Sequence, residues 1–212
     1  MKVCCIASLD EAELASSLGA YAIGLVSAMP SGPGPIPDEL IAEIAAAAPT
    51  HLQKFLLTSR LDADDIAQQV MRAGTNTVQI VDALVPGSHA RLRDLIPHVQ
   101  LVQVIHVTGE GSIREAESIA AEVDAILLDS GNPAAKIKEL GGTGRTHDWA
   151  VSRAIVQAVG IPVYLAGGLR AENVAEAVDV VRPFGVDVCT GVRTNGALDA
   201  EKLAAFAAAI PG

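Results

Sequence analysis

The chain predicts an α/β fold, a single-domain (β/α)8 TIM barrel over residues 1–212. Three observations predict it. Short β-branched and aliphatic runs alternate from end to end with longer Ala/Leu/Glu segments of helical period, the pattern of repeated βα units. Eight such units use up the length, and closing eight parallel strands into a barrel removes both sheet edges. The GxGxxG fingerprint that would favour an open doubly wound sheet is missing after the first strand, where Ala7-Ser8-Leu9-Asp10 follows.

Taken in order, the first unit reads as a strand at 2–6 and a helix at 10–18, with Asp10 at its start. The second pairs 22–26 with a helix at 37–48, opened by Pro37-Asp38-Glu39, residues suited to a first helical turn. In the third, a strand at 52–57 precedes a helix at 62–73 that begins with Asp62 and carries Asp65 three residues on, a capping pattern. The fourth and fifth place strands at 77–81 and 101–107 before helices at 88–96 and 111–122. The last three strands, at 125–129, 162–166 and 186–189, precede helices at 148–159, 171–181 and 199–209.

Composition narrows the function. With 15 Lys+Arg against 25 Asp+Glu the formal net charge is −10, which opposes a nucleic acid partner, and 3% aromatic residues supply no stacking platform for single strands. Apolar stretches fall well short of the ~18 residues of a membrane span. The N-terminus carries no secretory signal pattern, so the expected location is cytoplasmic. The three cysteines read as reduced thiols, since adjacent Cys4 and Cys5 would make a strained bridge. The five histidines lack metal-binding spacing, and no metal is expected.

In a barrel of this kind reactive side chains come from the C-terminal ends of several strands. Cys4 lies near the end of the first strand, Asp129 ends the sixth, Asp82 follows the fourth, and Asp187 with Cys189 lies on the eighth. A carboxylic acid and a thiol facing one another across the mouth form an acid/base pair; as a purely structural alternative, Cys4 fills core and Asp129 caps or pairs with a cation. Cys5 is expected to be structural, because neighbouring strand residues point to opposite faces. Gly167-Gly168 after the seventh strand and Thr190-Gly191-Val192 after the eighth suit a phosphate, because glycine lets backbone amides approach an anion closely. Two long loops also reach the catalytic face: 27–36, rich in Pro and Gly, and 130–147, which holds Gly141-Gly142-Thr143-Gly144-Arg145-Thr146. The latter does not satisfy GxxxxGK[ST], and its single Arg145 suits a segment that closes over a ligand.

Several segments together resemble phosphoribosylanthranilate isomerase, a tryptophan-biosynthesis enzyme: Lys2-Val3-Cys4, Leu127-Leu128-Asp129-Ser130, the glycine-rich loop running into His147-Asp148-Trp149, Ala166-Gly167-Gly168-Leu169, and Arg182-Pro183-Phe184-Gly185-Val186-Asp187-Val188. The resemblance spans nearly the whole chain. It implies an Amadori rearrangement of a phosphoribosylamine to its 1-amino-1-deoxyribulose 5-phosphate isomer, an aldose–ketose isomerisation without metal or organic cofactor. It further implies that Asp129 is the general acid, that Cys4 is the base, and that Gly167, Gly168, Thr190, Gly191 and Val192 hold phosphate. Asp187, Gln79 and Arg145 join the implied substrate-binding set, and the partner is a small phosphorylated molecule; the sequence itself leaves monomer and homodimer both open.

The chain also departs from the family pattern. Cys5 replaces the glycine of its Lys-Ile-Cys-Gly-Ile-Thr motif and Ala7 the threonine. Ser31-Gly32-Pro33-Gly34-Pro35 stands where the family carries Ser-x-Arg, whose Arg pairs with the anthranilate carboxylate. Val81 replaces a histidine after Gln79, and Arg193 replaces a glutamate after Gly191-Val192. Three readings follow: an authentic isomerase in which another cation, Arg145 or Arg193, holds the aryl carboxylate; a paralogue acting on another phosphorylated sugar or amine; or a non-catalytic phosphometabolite-binding barrel.

Overall fold

Eight parallel strands pair in chain order and the eighth returns to the first, closing a barrel. The structure is a computed structural model that describes residues 1–131, 140 and 146–211. The strands are β1 (Lys2–Val3), β2 (Ala22–Val26), β3 (Gln53–Thr58), β4 (Thr77–Ile80), β5 (Gln100–His106), β6 (Ala125–Asp129), β7 (Val163–Leu165) and β8 (Gly185–Val188). The helices that follow them are α1 (Leu9–Ser17), α2 (Asp38–Ala47), α3 (Ala63–Ala73), α4 (Ser88–Leu95), α5 (Gly111–Ile119), α6 (Trp149–Ala158), α7 (Val174–Val181) and α8 (Ala200–Ala209). The expected (β/α)8 architecture is therefore present, and among the described residues no helix is long and apolar enough to cross a membrane.

Strand alternation divides the core into two layers. Ile23 and Leu25 of β2 face outward into the large cluster beneath the helices, while Ala22 and Val26 join Phe55, Leu57, Val102, Val104 and Leu127 inside the barrel. Gly24 also belongs to the inner face. A Cβ there would stand 2.8 Å from Cys4 Sγ and 3.1 Å from Lys2 Nζ, so glycine leaves the room that these two side chains occupy.

Capping fixes several helix starts, as the sequence suggests. The side chain of Asp62 accepts from the Asp65 amide at 3.0 Å, and that of Asp148 from the Ala150 amide at 2.8 Å. At α1 the cap is Ser8 rather than Asp10: its hydroxyl accepts from the Glu11 amide and the helix begins at Leu9. Helix α7 starts later than expected, at Val174. Asn173 holds the preceding turn by accepting from the Arg170 amide at 2.9 Å and donating to the Gly168 carbonyl at 3.1 Å.

Two further departures matter for the site. β1 stops at Val3 because Cys5 takes the left-handed conformation, φ 62°, which ends regular strand geometry. After β8 comes a 3-10 turn at Thr190–Val192 and then an antiparallel hairpin of β9 (Arg193–Thr194) and β10 (Ala197–Leu198), whose turn Asn195-Gly196 has φ 51° and 86°. That pair of residues suits a tight hairpin turn.

Candidate active site

An open cleft lies at the C-terminal mouth of the barrel. It gathers seven of the residues picked out in the sequence: Cys4, Gln79, Asp129, Gly167, Gly168, Asp187 and Thr190. Gly191 and Val192 sit behind its wall: Val192 is fully buried in the outer core, and Gly191 packs against the Leu169 carbonyl. Arg145 lies outside the described residues, as does the rest of 141–145.

Cys4 follows directly on β1 and Asp129 ends β6, across the mouth from one another. A hydrogen bond from the Cys5 thiol, supported by the Lys2 ammonium and opposed by burial, holds the Cys4 thiol below its ordinary range. Asp129 Oδ1 accepts from the Ser130 amide at 2.7 Å, which fixes the carboxyl at the strand end.

Beneath them Lys2 Nζ lies 2.9 Å from Asp187 Oδ2, a pair almost wholly removed from water, with the ammonium 5.2 Å from the centre of the Phe55 ring. Burial alone pushes Lys2 down, but Asp187 and the neighbouring thiols outweigh it and raise it, so the ammonium stays charged. Burial also pushes Asp187 up, against the pull of Lys2. Asp187 Oδ1 and Gln79 Oε1 are buried without a hydrogen-bond partner among the described residues, and both residues line the cleft. Buried acceptors of this kind are costly unless a donor arrives, and the hydroxyl and amine groups of a sugar derivative supply donors.

The wall opposite is glycine-built. Gly167 and Gly168 have φ 83° and 63°, and a Cβ on Gly167 would stand 2.9 Å from His147 Nδ1. His147 is held by Ser152, Nε2 to Oγ at 2.7 Å, and burial pushes it below its ordinary value despite Asp129 and Asp148. The turn from Thr190 packs directly on the one after β7, since a Cβ on Gly191 would meet the Leu169 carbonyl oxygen at 2.0 Å.

The structure corrects two expectations. Arg193 does not reach the cleft: its guanidinium donates to Glu11 Oε1 and Oε2 at 3.0 and 3.1 Å, and to the carbonyls of Cys4, Cys5 and Gly196 at 3.2, 2.5 and 2.8 Å. It is committed to structure and does not hold an aryl carboxylate. Cys5, expected to point away from Cys4, also lines the cleft, because its left-handed backbone breaks the alternation. Gly34 makes this possible, since a Cβ there would stand 2.6 Å from Cys5 Cβ. Cys189, Met29, Ser31, Gly32 and Pro33 complete that side. Their loop was legible as a Pro/Gly-rich segment at the catalytic face, whereas the turn of Cys5 had no signal in residue alternation.

The family described as N-(5'phosphoribosyl)anthranilate (PRA) isomerase matches residues 2–209. The chain belongs to the phosphoribosylanthranilate isomerase family. Relatives include N-(5'-phosphoribosyl)anthranilate isomerase 2 of Methanosarcina mazei, 36% identical over 97% of this chain and 91% of the relative. The isomerase of Haloferax volcanii is 38% identical over 99% of this chain and 91% of its own. A solved phosphoribosyl anthranilate isomerase in complex with reduced 1-(o-carboxyphenylamino)-1-deoxyribulose 5-phosphate superposes with a TM-score of 0.80 at 25% identity, covering 97% of this chain and 95% of that one.

Proposed function

We propose that the chain isomerises N-(5'-phosphoribosyl)anthranilate to 1-(o-carboxyphenylamino)-1-deoxyribulose 5-phosphate in tryptophan biosynthesis. The observation that carries this reading is the placement of Cys4 and Asp129 on opposite sides of one cleft whose third side is the glycine wall. Asp129, as the general acid, delivers a proton to the ribose ring oxygen as the C1–O bond breaks, leaving an iminium at C1. The Cys4 thiolate then takes the C2 proton, and the electron pair moves to give an enolamine, which tautomerises to the ketose. Protons are exchanged and no electrons are gained or lost, so the two side chains suffice.

Gly167, Gly168 and Thr190 bring their backbone to the phosphate, with Gly191 and Val192 holding the second turn against the first. Asp187 Oδ1 and Gln79 Oε1 accept from the sugar hydroxyls or the amine. The aryl ring lies on the apolar side formed by Met29, Leu57 and Val81. The cytoplasmic location and the monomeric or homodimeric state expected from the sequence go with this reading.

The test is turnover of freshly generated phosphoribosylanthranilate by the purified protein, followed as loss of substrate fluorescence and confirmed by a product of unchanged mass. Conversion is expected. A folded protein that binds inorganic phosphate but leaves this substrate intact overturns the reading in favour of a paralogue with another phosphorylated substrate.

A further inference from the structure

Cys5 and Cys189 bring their sulfurs to 2.7 Å of each other where β1 meets β8. The cysteines are free thiols, and this pair stands close to the ~2.05 Å of a disulfide. Both line the cleft, and Cys189 is only half-buried, so a small reagent that enters the mouth reaches it. The Arg193 guanidinium donates to the Cys5 carbonyl and places a permanent positive charge near both residues, while the neighbouring thiols and burial push Cys5 up, so Cys189, the more exposed of the two, is the one that attacks first. Cys4 is excluded as the partner of Cys5, because a bridge between sequence neighbours is strained.

We propose that Cys5 and Cys189 form a thiol–disulfide modification site, at which a low-molecular-weight disulfide such as oxidised glutathione closes an intramolecular Cys5–Cys189 bond and stops turnover. The Cys189 thiolate attacks one sulfur of the reagent, forming a mixed disulfide and releasing one reagent thiolate. Cys5 then gives up its proton, and its sulfur displaces the second reagent thiolate from Cys189. The two protein thiols are oxidised, the reagent is reduced to two thiols, and the two protons end on them. Bridging consumes the Cys5 thiol, which donates to the Pro33 carbonyl at 3.5 Å and holds Cys4 low, and it ties the residues after β1 to the start of the Thr190 turn. The effect on turnover rests on the function proposed above; the bond itself does not.

The experiment treats the full chain with oxidised glutathione, blocks remaining thiols in denaturant, and maps linked peptides by mass spectrometry beside the isomerase assay. The expected result is a protein lighter by two hydrogen atoms, with one blockable thiol at Cys4, a Cys5–Cys189 linked peptide, and turnover reduced more than tenfold and restored by dithiothreitol. The Cys189→Ser variant should give no linked peptide. A glutathione adduct without the link, a link through Cys4, or a linked protein that turns over as fast as the reduced one overturns the proposal. Absence of turnover in the reduced protein counts instead against the proposed isomerase function, and the mass still reads the link.

Discussion

Arg193 and Glu11 meet in a two-pronged ion pair, Nη1 to Oε1 at 3.0 Å and Nη2 to Oε2 at 3.1 Å, which joins the hairpin after β8 to the first turn of α1. Every oxygen of Glu11 is used further: Oε1 accepts from the Leu198 amide at 2.8 Å and Oε2 from the Ala7 amide at 3.0 Å. The pair spans the seam between β1 and β8, where only two residue pairs are in register. Arg193 also holds the carbonyls of Cys4 and Cys5, so the clamp sets the backbone that carries the proposed base. A positive charge at 193 is thus answered by a negative one at 11.

Replacing Glu11 by Ala should cost about 3 kcal/mol or more, because it leaves a buried guanidinium without its counter-charge. Burial pushes Glu11 up, but donation from Arg193 and from the Leu198 and Ala7 amides outweighs it, and its pKa is lowered. A carboxyl depressed in the folded state stabilises above its unfolded value of about 4.3 and loses that contribution as pH falls through the folded value. Denaturant unfolding of wild type and variant should therefore show the full gap at pH 7 and a narrowing gap below about pH 4. A gap that stays constant down to acid pH contradicts the ionic assignment.

Cys4→Ser and Asp129→Asn should each lower kcat by about 10²–10⁴, the usual contribution of a positioned acid or base. Inorganic phosphate affinity should stay within a factor of two or so of wild type by titration calorimetry, since neither side chain belongs to the glycine wall. The Cys5 thiol and Lys2 hold Cys4 below the ordinary thiol value of ~8.5, so the basic limb of kcat/KM in wild type should rise and level before that pH. Full activity in either variant would remove that residue from the chemistry.

The barrel was legible because period and length leave few alternatives: each strand is a short aliphatic run and each helix carries its own stripe. Asp62 was readable as local chemistry because a cap acts within three residues. Cys5 was not, since its direction depends on a positive φ and on space left by Gly34, 29 positions away. Arg193 was likewise misread as a candidate for a ligand. Its partner Glu11 lies at the other end of the chain, and only barrel closure brings the two together. The β9–β10 hairpin carries a local signal in Asn195-Gly196, a pair suited to a tight turn, which the strand-and-helix pattern alone does not use.

The glycine wall offers a sharper test than the reactive residues, because its role is steric. Gly191 needs no left-handed backbone, but an added methyl would meet the Leu169 carbonyl oxygen at 2.0 Å and Arg170 Cα at 3.2 Å. Those are backbone atoms with little freedom to yield, so the turn beginning at Thr190 must move away from the turn after β7. Gly191→Ala should then cost about 1–3 kcal/mol, the usual range for overpacking. It should also weaken phosphate binding tenfold or more, as the two turns separate. Gly111→Ala is the control: it lies in α5, has nothing within 4 Å of the added Cβ, and should be neutral or slightly stabilising. Unfolding midpoints and phosphate titrations on both variants decide the matter. Equal phosphate affinity in the two would mean that the packing of Gly191 on Leu169 serves the fold and not the anion.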